Sequence, residues 1–171
     1  MKNRKTVRRV LGIILGSVLC LVGSRFLPGE VLAAEFPSVK VTNIRRIAHN
    51  GEHNAFTDLT WFQGHIYLTF RTCPDGHMVH PTSRILVMRS SNGKEWKQVH
   101  SFNVPKRDTR DPHFQVFKDK LFVYTGTWYC GDASPKTRNM NQHLGYAVFS
   151  KDGKQWSQPR MLEGTYGHYI W

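Results

Sequence analysis

A chain of 171 residues with 24 Lys and Arg against 12 Asp and Glu carries a formal charge of +12, and because six of those bases and one acid fall in residues 1–34, the remainder is left at +7. Such a surplus suits acidic glycans, nucleic acid or anionic lipid as partners and does not decide the fold. No basic run interleaved with aromatics follows residue 34, and no Cys/His or HExxH spacing, glycine-rich phosphate loop or Ser nucleophile elbow occurs, which argues against a nucleic-acid partner, a metal and a cofactor.

The chain opens on Lys2, Arg4, Lys5, Arg8 and Arg9, followed by an uncharged, mainly apolar run from Val10 to Gly23. A spanning helix needs about 20 apolar residues, so this shorter run reads as a secretory signal. Val31-Leu32-Ala33-Ala34 supplies small residues for cleavage near Ala34. Residues 1–34 are therefore expected to be a signal peptide and 35–171 a secreted or periplasmic protein with no stable membrane insertion after cleavage; an uncleaved signal anchor is the alternative. Cleavage removes Cys20 and leaves Cys73 and Cys130, either a disulfide or two free buried thiols.

After Glu35 there is no amphipathic helical period of useful length. Short apolar runs recur instead: His65–Phe70, Arg84–Met88, Lys120–Tyr124 and Leu144–Phe149, each rich in aromatic and β-branched residues and bounded by turn signals, as buried strands are. They fall into a repeat. Ser90-Ser91-Asn92-Gly93-Lys94-Glu95-Trp96 returns 60 residues later as Ser150-Lys151-Asp152-Gly153-Lys154-Gln155-Trp156, and Asp58–Tyr67 aligns with His113–Phe122 at an offset of 55, which also carries His113 to His168 and Val116 to Trp171. Each unit is strand, tight turn, strand, longer loop, strand, Asn/Asp-Gly turn, strand. Four antiparallel strands per unit of this length describe a β-propeller blade. Asn92 and Asp152 can bond their own backbone two residues on and Gly93 and Gly153 accept positive φ, while Trp96 and Trp156 can cover the turns. The third unit stops inside its first strand at Trp171, so the chain is expected to be the N-terminal part of a longer propeller, two and a fraction blades of it.

The two turns resemble the Asp boxes, or BNR repeats, of the sialidase superfamily, with one residue fewer between Asp and Gly. His53–Leu59, Phe70-Arg71 and Thr109-Arg110-Asp111-Pro112 resemble stretches of sialidase-like secreted bacterial proteins, and the resemblance covers residues 50 to 171. It implies an all-β, six-bladed propeller with four-stranded antiparallel blades, here incomplete, and a glycan-processing exo-glycosidase in the full-length protein. The alternatives are a noncatalytic glycan-binding propeller and a five-bladed furanosidase-like hydrolase. The partner expected is carbohydrate, with an acidic glycan suited to the charge.

Residues near the start of each innermost strand should meet at one mouth. Asp58, His113 and His168 occupy that repeated slot, with Arg110 and Asp111 just before its second copy; they are candidate substrate-binding and catalytic groups, or polar braces between blades. The sialidase resemblance implies a carboxylate-binding role for Arg71 and an acid/base role for Asp75, although the Arg of the Arg-Ile-Pro motif is replaced by the neighbourhood of Ala55. Arg110-Asp111-Pro112 is similar to the Arg-Asp-Pro motif of five-bladed furanosidases, which implies a catalytic carboxylate at Asp111, and glycosidases need two carboxyl groups across the scissile bond. His49, His53, His77, His80 and His143 fall on predicted loops and read as surface or turn residues.

Overall fold

A computed structural model of the chain describes residues 37–131 and 143–162. Two compact units divide the chain, Met1–Ile44 and Arg45–Trp171. Of the first, residues 37–44 are described and are exposed without regular structure. The second holds every described strand, and its described part is all-β.

Two four-stranded antiparallel sheets follow one another. The first runs β1 (His53–Phe62), β2 (His65–Cys73), β3 (Arg84–Ser90) and β4 (Lys97–Phe102) in spatial order; the second runs β5 (Arg107–Phe117), β6 (Lys120–Tyr129), β7 (His143–Ser150) and β8 (Arg160–Met161). These are the two propeller blades that the repeat predicts. The third unit, with His168 and Trp171, lies outside the described residues.

β1 and β5 start earlier than the aligned segments suggest, and the reason is a bulge. Ala55 pairs with Arg71 and the next pair is Asp58 with Thr69; Arg110 pairs with Gly126 and the next is His113 with Tyr124. In each blade two residues, Phe56-Thr57 and Asp111-Pro112, stand opposite one. The extra residue breaks the alternation of period two by which a strand is read, and a bulge is also where a strand tolerates a proline. His53 opens β1 ahead of its bulge and His143 opens β7, so neither lies on a loop.

The core lies between the blades. Ile85, Val87 and Tyr67 from one side meet Leu121, Val123 and Val148 from the other, all at most 1% exposed, with Phe62 and Phe102 closing the cluster. Polar bonds add register: the Asp58 carboxylate accepts the Phe114 N–H at 2.7 Å, and the Gln63 amide donates to the Lys151 carbonyl at 2.9 Å. In both Gly turns the Asn92 or Asp152 side-chain oxygen accepts N–H bonds from the two residues after the glycine. Those bonds hold the Asp152 carboxyl below its ordinary range. Trp96 covers its own turn through an Nε1 bond to the Gly93 carbonyl. Trp156 does not; it turns across the seam and stacks on His100, rings 5.1 Å apart and 8° from parallel.

His100 is sandwiched between Trp156 and Phe102, its Nε2 buried without a hydrogen-bond partner, and burial pushes its basicity below the ordinary 6.5. The unfolded chain then binds the proton more readily, so stability present above about pH 6.5 drains away as the pH falls below it. Thermal midpoints should drop between about pH 7.5 and about pH 5.5, and His100→Phe, which keeps the stack and removes the titration, should flatten part of that drop. His53 and His143 shift in the same direction, chiefly through burial, and will retain the remainder. An unchanged slope in the Phe variant would discount His100.

Candidate functional site

The bulged end of β1 and β5 gathers the chemistry. Asp108, on β5, is 0% exposed between two arginines. Arg71 on β2, also fully buried, brings Nε and Nη2 each to 3.0 Å from Asp108 Oδ1. Arg110 brings Nε to 2.9 Å from Asp108 Oδ2, an ion pair whose alignment is too poor for a hydrogen bond. The repeat explains the fit: Arg71 stands opposite Ala55 where the second blade has Gly126, and Arg110 stands where the first blade has Ala55, so each long side chain has a small neighbour across the ladder.

Both arginines also organise the β2–β3 connection. Arg71 donates to the carbonyls of Gly76 and Met78 at 3.1 and 3.0 Å, and Arg110 donates to the His77 carbonyl at 2.8 Å. The Arg110 guanidinium lies between two aromatic rings, 5.4 Å from the Phe56 centroid and 5.2 Å from that of Trp128. Trp128 in turn stacks on His143 at 4.4 Å, and His77 meets His53 and Phe56 at 5.0 and 5.5 Å. Burial keeps His53 and His143 below ordinary histidine basicity, aided by His77 and Arg71 at the first and by Arg110 and Arg107 at the second, where Asp111 opposes the shift.

Phe56 and Asp111 sit at the same place in the two bulges and both have positive φ, 58° and 51°. Left-handed backbone costs a bulky residue such as Phe56 roughly 1–2 kcal/mol, whereas Asp adopts it readily; a bulge of this kind re-aims the side chain it carries. Thr125 secures the second bulge by bonding its hydroxyl to the Arg110 carbonyl.

The sequence-derived candidates thus fall into different places. Arg110 and Asp111 lie in this cluster together with Arg71, each of whose three guanidinium nitrogens bonds Asp108 or a loop carbonyl. Asp58 bonds the Phe114 and Leu59 N–H groups at 2.7 Å and has His113 Nδ1 at 3.9 Å. Asp75 is exposed in the β2–β3 connection and accepts the Thr82 hydroxyl at 2.5 Å. His168 lies outside the described residues. Cys73 and Cys130 are two free buried thiols; burial raises Cys130 to about 11. Among the described residues no group of three or more His, Cys, Asp or Glu could hold a metal.

No protein-family model and no curated protein matches the chain. Among solved structures, the chain is similar to Zg3597, a family 117 glycoside hydrolase produced by the marine bacterium Zobellia galactanivorans, at TM-score 0.51 and 13% identity over 69% of this chain. A weaker likeness, TM-score 0.43 and 16% identity over 68% of the chain, is to a proposed glycoside hydrolase from Parabacteroides distasonis, of which 35% is covered. The first likeness establishes a fold shared with a glycoside hydrolase. The chain spans 42% of the length of that enzyme.

Proposed function

We propose that the full-length protein is an exported glycoside hydrolase whose active site lies at the bulged end of the blades, with Asp111 supplying one of its two catalytic carboxylates. The observation that carries this reading is Asp111, set in the second bulge at the rim of a buried Arg71–Asp108–Arg110 network. A carboxylate held on rigid backbone beside fixed positive charge can stabilise an oxocarbenium-like transition state or orient the attacking water. Between the two glycosidase resemblances, the Arg-Asp-Pro one is favoured, because Arg71 is fully buried and each of its guanidinium nitrogens already bonds Asp108 or a loop carbonyl. A noncatalytic glycan-binding propeller is the second reading, favoured by the engagement of Asp58, Asp75 and Asp108 in protein contacts.

Asn tolerates left-handed backbone well, so Asp111→Asn should leave the thermal midpoint unchanged. In the full-length protein, turnover of a cleaved glycan should fall by at least about a hundredfold. Near-normal turnover, or a loss that appears only as the midpoint collapses, would assign Asp111 to the scaffold. Glycan binding by the unaltered protein with no cleavage of any substrate would favour the noncatalytic reading.

A further inference from the structure

We infer that Phe56 is a sugar-stacking platform that fixes which face of the glycan lies against the site; this rests on the carbohydrate reading above. Phe56 fills in the first blade the backbone position that Asp111 fills in the second, with φ of 58° and 51°. A bulky aromatic is among the side chains least suited to left-handed backbone, and core packing does not account for it: Phe56 keeps 36% of its surface exposed and is no part of the hydrophobic core. Its orientation is nevertheless fixed, by the Arg110 guanidinium 5.4 Å from its centroid and by His77 at its side. Arg110 is the chain neighbour of Asp111, so the residue whose guanidinium holds the ring adjoins the proposed catalytic acid.

The chemistry of that arrangement is specific. The C–H groups on the apolar face of a pyranose or furanose carry partial positive charge and meet the negative face of an aromatic ring favourably, while the ring sheds water on contact. A held ring loses little conformational entropy when the ligand arrives. A sugar laid on Phe56 would have one of its faces fixed by the ring, which makes the ring a determinant of binding orientation rather than a catalytic residue.

The test separates a platform from a structural prop. Phe56→Gly relieves the backbone strain and removes the ring, whereas Phe56→Tyr and Phe56→Trp retain a ring. The full-length protein and these variants would be run by affinity electrophoresis through gels holding arabinan, galactan, pectic galacturonan or sialylated mucin, beside Asp111→Asn, and each thermal midpoint recorded. On the polysaccharide that retards the unaltered protein, Phe56→Gly should bind about tenfold or more weakly, with a midpoint within about 2 °C of the unaltered protein. The Tyr and Trp variants should stay within about threefold. Retention of full affinity by the Gly variant overturns the platform and leaves the glycosidase reading standing. A collapsed midpoint in that variant makes the ring a prop for Arg110 and also overturns it. If none of the polysaccharides retards the unaltered protein, the carbohydrate reading falls and takes the platform with it.

Discussion

Asp108→Ala should be the most damaging single substitution among the described residues, at a cost of about 3–5 kcal/mol. The carboxylate is fully buried, and so is the Arg71 side chain, while that of Arg110 is 9% exposed. Removing it leaves two guanidinium groups in a poorly solvated site with no counter-charge, and both would lose the partner that aims them at the β2–β3 connection. A domain is stable by roughly 5–15 kcal/mol in all, so most of the margin would go. Asp108→Asn keeps the shape, removes the charge and should cost somewhat less. Denaturant titration reads both losses, and the double variant Arg71→Leu with Asp108→Asn should recover part of the deficit by removing one unpaired cation. An Asp108→Ala protein within about 0.5 kcal/mol of the original would mean that water enters the network and screens it.

Gly153→Ala is expected to cost about 2–4 kcal/mol, for two separable reasons. Gly153 has a φ of +66°, which an alanine adopts under strain. Its Cβ would also arrive 1.8 Å from Tyr67 Oη and 2.7 Å from Tyr67 Cζ. That tyrosine cannot step aside readily: it is 1% exposed and wedged between Phe62 and Phe114, with ring centroids 6.2 and 6.4 Å away. Gly93 is the internal control. Its φ of +67° is nearly the same and its nearest atom is Ile66 Cδ1 at an ordinary 3.5 Å, so Gly93→Ala should carry only the strain, about 1 kcal/mol. Thermal denaturation of the two alanine variants measures the difference, and Tyr67→Phe in the Gly153→Ala background should return part of it. Equal losses at the two glycines would show that Tyr67 yields.

The blades were legible because their signals are local. Asn92-Gly93 and Asp152-Gly153 specify a turn by bonds and φ values that lie within a few residues, and the strands on either side keep period two wherever no bulge intervenes. The site was legible only in part, because what assembles it is not local. Arg110 and Asp111 could be found from a tripeptide. Asp108 could have been found too, since residues two apart on a strand share a face and an acid two before an Arg is a candidate ion pair; its partner Arg71, 37 residues away, could not. Phe56 carries no sequence mark except its alignment with Asp111, and the bulge that makes the alignment meaningful also scrambles the alternation around it. His53 was hidden for a similar reason, since it lies just before a bulge; His143 opens the regular strand β7. Trp156 departs from its twin: the motif around it matches that of Trp96, but Trp156 has His100 of the first blade within reach, and the stack draws the indole across the seam.

The equivalence of the two bulges has a consequence for how such proteins diversify. Each blade offers one outward socket whose backbone geometry is set by the register of its own first hairpin and not by the residue that fills it. An aromatic in one blade and an acid in the next thus occupy equivalent positions. A lineage that duplicates this unit of about 55 residues gains a new position at the rim with every copy. It can change what a blade contributes by a single codon, while the inter-blade core that keeps the copies in line goes untouched.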